Sequence, residues 1–350
     1  MKIAVMGDPH WSQNSSIMRA RGQKYSRRLE NLIESMNWFE QLAWDTNCAT
    51  CVCVGDFFDS AVMNAEEISA LKEVKWNALS HIYLTGNHES NVSSLDFATS
   101  DIFSLCNTSL VISKPTWYDI EDEDVEFCFL PYITERDRQP LETYFPAKPT
   151  TRKRILFSHN DLKDVQYGPF LSKEGFTVNE IEANCDLMIN GHIHHCAYVT
   201  NKIINCGNLT GQNFTEDAYK YEHCALIIDT ETLHVDFYIN PCAFNFYKID
   251  ATMCNSEAEV ASKLAGLKDH SVITIKVNQS IACTTKTQLA AMDTNKIEAY
   301  RVIVEAELQA LTEETQQFES IDHLKQFENY VLTNIGTSDI VRQELEAVMR

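Results

Sequence analysis

The 350 residues carry 50 Asp and Glu against 29 Lys and Arg, a formal net charge of −21, and 44% of them are hydrophobic. That composition is of an ordinary globular protein with a sizeable core, in one large domain with an appendage or in two to three smaller ones. It excludes nucleic-acid binding through bulk positive charge, which rests on Lys and Arg displacing counterions from phosphates.

No apolar run reaches the roughly 18 residues of a membrane span, and Met1-Lys2 leads straight into Ile3-Ala4-Val5 with no secretory signal. The chain therefore reads as cytoplasmic (host cytoplasm if phage-encoded), with no membrane partner.

In chain order, residues 2–6 form an apolar strand that runs into Gly7-Asp8, and residues 49–54 form a second that runs into Gly55-Asp56. Between them Leu29, Leu32, Ile33, Met36, Phe39 and Leu42 recur at three- and four-residue steps, which predicts an amphipathic helix. Ile68, Leu71 and Val74 predict another, ahead of a strand at residues 82–85 that runs into Gly86-Asn87-His88. Strands at residues 155–157 and 187–189 run into Ser158-His159 and Asn190-Gly191-His192. This alternation predicts a largely parallel inner sheet covered by helices. Further strands, at residues 202–206, 224–229 and 233–239, are joined by short connections, so a mixed sheet in two layers fits both halves.

Past Asn240-Pro241 the pattern predicts a small separate α/β domain: strands at residues 246–249, 272–277 and 300–304, with helices at residues 257–267 and 287–292. A polar spacer at residues 312–319 precedes two amphipathic helices. The first carries Ile321, Leu324, Phe327 and Val331, the second Ile340, Val341, Leu345 and Val348, with Gly336 suited to cap the first. The expected organisation is a main domain at residues 1–242, a small α/β domain at 243–308, a linker at 309–319 and a helical pair at 320–350.

Cysteine chemistry contributes little. The tightest group of the twelve is Cys48, Cys51 and Cys53, but no second C-x-x-C exists to close a zinc site. Cys51 and Cys53 alternate with Val52 and Val54 as in a buried strand, so they read as core thiols.

Loops at the C-terminal ends of strands are where α/β sheets bind ligands. Here those loops carry Asp8-x-His10, Asp56-x-x-Asp59, Asn87-His88-Glu89, His159 and His192-x-His194. Carboxylates, imidazoles and one amide oxygen, with no cysteine among them, suit two divalent ions such as Mn²⁺ or Fe²⁺ better than a thiolate zinc site or an all-oxygen calcium site. Any one of these residues alone is an ordinary polar turn residue; five such loops in order carry the assignment. His192 and His194, two apart, point to one side of an extended loop, whereas His195 points away and reads as a packing or surface residue. Glu89 reads as structural, and Asn208 equally as a phosphate contact or a turn asparagine.

The series G-D-P-H from Gly7, G-D-F-F-D from Gly55, G-N-H-E from Gly86, S-H at Ser158 and G-H-I-H from Gly191 resembles the calcineurin-like metallophosphoesterase superfamily over residues 1 to about 240. The resemblance implies a four-layered α/β/β/α sandwich and two divalent metals, Mn²⁺ in first place with Mg²⁺ or Fe²⁺ as alternatives. It also implies that Asp8, His10 and His194 hold one metal, that Asn87, His159 and His192 hold the other, and that Asp56 bridges them. His88 would be the general acid, with Asp59 reaching its other nitrogen.

Gly55–Asp59 continues with Ser60-Ala61, where a protein phosphatase would supply Arg-Gly. The small α/β domain and terminal helical pair resemble the SbcD nuclease family in its compact phage form, whose members work with an SbcC-type coiled-coil ATPase. That resemblance implies a DNA exonuclease or endonuclease, DNA and the ATPase as partners, and a homodimer; the alternative is a stand-alone phosphodiesterase or phosphatase acting on a small phosphoester. Arg19, Arg21, Lys24, Arg27 and Arg28 form a basic stretch with no acid from Trp11 through Leu29, which reads equally as a DNA contact or a solvated helix face. Ile321, Leu324, Phe327, Val331, Ile340, Val341 and Leu345 would present an apolar stripe to the ATPase.

Overall fold

The computed structural model describes residues 1–13, 24–78, 80–91, 94–120, 124–149, 151–167, 170–292 and 296–305. Arg19, Arg21, the linker and the terminal helical pair lie outside these residues. Among the described residues no helix is long and apolar enough to cross a membrane.

The chain opens with β1 (Lys2–Met6), α1 (Arg27–Asp45), β2 (Thr50–Cys53), α2 (Ala65–Leu71) and β3 (His81–Leu84). Four strands follow: β4 (Ser109–Ile112), β5 (Thr116–Ile120), β6 (Val125–Leu130) and β7 (Lys153–Ser158). Then come α3 (Val178–Asn184), β8 (Leu187–Asn190), β9 (Ala197–Tyr198), β10 (Ile203–Asn205), β11 (Cys224–Asp229) and β12 (Val235–Ile239). They build two six-stranded sheets, in the orders β12-β11-β1-β2-β3-β4 and β9-β10-β8-β7-β6-β5. The inner strands are parallel in both: β1 with β2, β2 with β3, and β7 with β6 and β8.

Strand alternation sorts the core into layers, because successive side chains point to opposite faces. Ile3, Val5, Val52 and Val54 from the first sheet meet Phe127, Phe129, Ile155, Phe157 and Ile189 from the second. The outer face of the first sheet, with Ala4, Met6, Cys51 and Cys53, packs on Leu29, Leu32, Met36 and Phe39 of α1. The outer face of the second, with Cys128, Leu156 and Met188, packs on Ile181 of α3. The result is the expected α/β/β/α sandwich, with Cys51 and Cys53 as core thiols between sheet and helix.

Helix α1 obeys its sequence signals. Ser26 caps it by accepting from the Leu29 N–H, and its four core side chains are fully buried, each contributing on the order of 1.5–3 kcal/mol. Strands β4, β5, β6 and β9 and helix α3 are not among the elements expected from the sequence. β5 lies at a sheet edge with three of its five residues exposed, and α3 buries Ile181 alone, so neither shows the periodicity that marks an element.

The chain divides into two compact units. The first comprises Met1–Lys248, Leu267–Ile273 and Asp293–Ala299; the second comprises Ile249–Gly266, Thr274–Met292 and, among the described residues, 300–305. Strands β13 (Asn245–Ala251), β14 (Ser271–Val277) and β15 (Ile297–Val304) form a third sheet in that order. The second unit also holds α4 (Glu257–Leu264) and α5 (Ala282–Ala291).

Within the first unit Arg27 makes a bidentate pair with Glu298, at 2.8 and 2.7 Å, and His270 Nδ1 donates to the same carboxylate at 2.7 Å. Burial opposes ionisation of Glu298, yet the hydrogen bonds from Arg27 and His270 outweigh it and bring its pKa to about 2. The hydrogen bond to Glu298 raises His270. Glu298 therefore contributes stability above its unfolded value of 4.5 that is lost as pH falls toward 2, while His270 contributes below 6.5 and loses it as pH rises through its folded value. Thermal melts of Glu298→Gln against wild type, metal-free, should show a deficit of about 1 kcal/mol near pH 5.5 that narrows near pH 9. A deficit independent of pH would rule the linkage out.

Candidate metal centre

Parallel pairing brings the C-terminal ends of β1, β2 and β3 to one edge of the first sheet, and those of β7 and β8 to one edge of the second. The loops after them are laced by backbone bonds: Asp8 N–H to Gly55 O at 3.3 Å, His10 N–H to Asp56 O at 3.0 Å and Gly191 N–H to Ser158 O at 2.8 Å. Four of the loop residues, Asp8, His10, Asp56 and His192, have left-handed φ values of 48 to 70°. Non-glycine residues take up such backbone only where their surroundings over-determine it, as at functional sites.

Close approach explains two of the glycines. A Cβ on Gly55, whose φ is +99°, would lie 2.2 Å from His159 Nδ1, and one on Gly86 would lie 2.1 Å from Asp56 Oδ1. These two glycines thus leave room for His159 and Asp56, which come from neighbouring loops.

All seven expected ligands converge in two groups that share Asp56. In the first, Asp8, His10 and His194 gather with His10 Nε2 and His194 Nε2 3.1 Å apart, and His10 Nε2 is 3.8 Å from Asp56 Oδ2. In the second, His159 Nε2 is 3.2 Å from Asp56 Oδ2 and 3.1 Å from Asn87 Oδ1, which lies 2.9 Å from His192 Nδ1. The His192 N–H also donates to both oxygens of Asp8, at 3.0 and 3.2 Å, joining the groups.

The outward nitrogens decide what the inward ones offer. His10 Nδ1 donates to Asp59 Oδ1 at 3.2 Å, His194 Nδ1 to Glu216 Oε1 at 2.8 Å and His159 Nδ1 to the Val54 carbonyl at 2.7 Å. Each ring therefore turns an Nε2 lone pair inward, and two such lone pairs face each other at 3.1 Å beside buried carboxylates. Lone pairs and carboxylate oxygens packed together repel unless a cation lies among them, so this donor set fits divalent metal ions.

Electrostatics agree with that fit. Burial opposes ionisation of Asp56, but charged His159, hydrogen-bonded to it, holds its carboxyl far below the usual range. Burial also opposes charge on His159, yet Asp56 and Asp8 raise it to about 9.

Residues 1–196 match the calcineurin-like phosphoesterase family (Metallophos). The chain is a calcineurin-like phosphoesterase. Membership implies metal-dependent hydrolysis of phosphoesters at a centre that, in this family, typically takes two divalent ions. No curated protein matches the chain.

Around this phosphoesterase centre the remaining predicted residues fall differently. His88 stands 44% exposed at the mouth, and its N–H donates to Asp56 Oδ1 at 2.9 Å. Its Nδ1 donates to the Asp59 main-chain oxygen at 3.2 Å, with the Asp59 carboxylate at 3.7 Å. The Asp59 carboxylate thus stands within ion-pair distance of the expected nitrogen of His88 and makes its shorter contact, at 3.2 Å, with His10, while the Asp59 main-chain carbonyl takes the hydrogen bond from His88.

Glu89 is structural. It is fully buried and accepts from the Phe58 and Gly86 N–H groups, tying two ligand loops together, while burial and Asp56 raise it to about 8. Asn208 is also fully buried and accepts from His223 Nδ1 at 2.8 Å, which favours the turn reading. His195 takes the expected packing role, with its ring against Tyr221, and lines a cleft that His192 and His194 also line.

Arg28 as a DNA contact is corrected. It is 2% exposed and donates to the carbonyls of Gly211 at 2.8 Å and Pro9 at 3.1 Å, because α1 begins beneath the centre rather than on the surface. Arg27 is engaged by Glu298, and Lys24 pairs with Glu73 at the surface.

Three supporting residues are absent from the sequence reading: Arg28 in this role, Glu216, and Asp161, whose Oδ2 is 3.4 Å from His192 Nε2. Asp161 follows the S-H motif closely enough to have been suspected, but Glu216 lies far from any ligand in sequence. A separate buried group, Glu40, Cys51 and His81, is a structural knot. Glu40 pairs with His81 at 2.7 Å and also accepts from the Asn77 and Ala78 N–H groups.

Proposed function

We propose that this phosphoesterase is a metal-dependent DNA nuclease, the catalytic subunit of an ATP-regulated SbcC–SbcD-like repair or recombination complex. The observation that carries the proposal is the surface beside the centre. A cleft of about 640 Å³ runs from His192 and His194 past His195, Phe214 and Tyr221 to Lys248. It is larger than a phosphomonoester needs, and its rings offer faces on which nucleobases stack. The Ser60-Ala61 continuation, which lacks a phosphatase arginine, and the second compact unit after the phosphoesterase segment point the same way.

Two divalent ions, Mn²⁺ foremost, would polarise the phosphodiester, acidify the attacking water and offset charge in the transition state. The chain supplies the rest. Asp8, His10 and His194 would hold one ion, and Asn87, His159 and His192 the other, with Asp56 between. With Nδ1 tied to the Asp59 carbonyl, His88 keeps Nε2 free to hand a proton to the leaving alkoxide.

The charge of −21 favours the second reading, hydrolysis of a small phosphoester without partners. Under the nuclease reading, most DNA affinity comes from the ATPase, docked on residues 320–350, or from a second copy of the chain. The discriminating assay offers the purified protein, with Mn²⁺ or Mg²⁺, end-labelled duplex and single-stranded DNA beside bis(p-nitrophenyl) phosphate. Metal-dependent DNA cleavage is expected, falling steeply with salt. Hydrolysis of the small ester alone would overturn the nuclease reading, and an ATPase complex that survives removal of residues 320–350 would overturn the docking.

A further inference from the structure

The two metal positions are not supported alike. Behind His159 stands a neutral carbonyl, that of Val54, and behind His192 the carboxylate of Asp161, 31% exposed and 3.4 Å away. Behind the histidines of the Asp8 position stand two carboxylates at hydrogen-bond distance: Asp59 at 3.2 Å from His10 and Glu216 at 2.8 Å from His194. Glu216 is the better built of these. It is 2% exposed, and its second oxygen accepts from the Gln212 N–H at 2.7 Å. The loop that carries it is pinned by Arg28, which holds the Gly211 carbonyl.

We infer that Glu216 is an anionic positioning residue for His194 and makes the Asp8–His10–His194 position the tighter of the two metal sites. A buried carboxylate that accepts the Nδ1 proton fixes the tautomer, aims the Nε2 lone pair inward and makes that nitrogen more basic than a neutral carbonyl would. Glu216 lies beyond residue 196, past the segment that matches the family. The inference rests on the metal-centre reading and is independent of whether DNA is the substrate.

The test is calorimetric titration of Mn²⁺ into metal-free protein, which needs no substrate. Wild type should bind two ions in unequal steps. Glu216→Gln, which keeps an oxygen acceptor and nearly the same shape, should weaken the tighter step by about tenfold, and Glu216→Ala by up to about 100-fold, with the weaker step unchanged. In a His194→Ala background, Glu216→Gln should have no further effect, because the two residues act as one unit. Circular dichroism melts check that each variant is folded. Unchanged tight binding in Glu216→Gln and Glu216→Ala, equal loss at both steps, or full additivity with His194→Ala would each overturn the inference. A wild type that binds no Mn²⁺ would overturn the metal reading along with it.

Discussion

Asp56→Asn is expected to abolish phosphoester hydrolysis and to disturb both metal positions at once. Asp56 stands between the two groups of candidate ligands: its Oδ2 is 3.2 Å from His159 Nε2 and 3.8 Å from His10 Nε2, while its Oδ1 accepts from the His88 N–H. The amide keeps the shape but loses the charge, and with it a bridging anion in a site where Asp56 is 2% exposed. Metal-centred stabilisation of transition-state charge is worth several kcal/mol, so a loss of roughly 4 kcal/mol, or about three decades in kcat, is anticipated. Metal analysis should show fewer than two ions per chain. Single-site losses provide the contrast. His192→Ala and His194→Ala should each lose one ion, whereas His195→Ala, whose ring packs on Tyr221, should keep both. Near-normal turnover of the Asp56→Asn protein with both ions bound would refute the bridging role.

His88→Ala should behave differently, lowering kcat by roughly 10²–10⁴ while both ions stay bound. What holds Asp56 at this point is the His88 main-chain N–H, which survives the substitution, so the centre keeps its geometry. The lost element is the exposed imidazole whose Nδ1 is fixed on the Asp59 carbonyl. A general acid matters only where the leaving group needs a proton. The deficit should therefore be large for a nucleoside or alkyl leaving group and small for p-nitrophenolate, which leaves unaided. Equal deficits for both leaving groups would argue that His88 orients substrate instead.

The strand-end motifs were legible because each apolar strand ends in a small residue, Gly or Ser158, followed by a polar candidate ligand, and parallel pairing then aligns the ends within each sheet. The α1 stripe and the alternation of Cys51 and Cys53 with Val52 and Val54 were legible for the same reason: periodicity reports which face is buried. Arg28 misled because a basic stretch in sequence says nothing about which of its residues sits beneath the centre. The second contact of Asp59, with His10, was not legible, because a three-residue spacing from Asp56 does not say that its carboxylate stands between two rings.

The phosphoesterase class, the layered architecture and the seven candidate ligands could be read directly from the chain, since each is written in local order and local periodicity. How those residues are held depends on the packing of distant segments. Glu216 comes from 22 residues beyond His194, Arg28 reaches Gly211 from the far end of the unit's sequence, and Val54 supports His159 across the two sheets. Such support depends on distances between segments that neither spacing nor composition encodes. It appears only when the packing of two sheets brings those segments within hydrogen-bond reach.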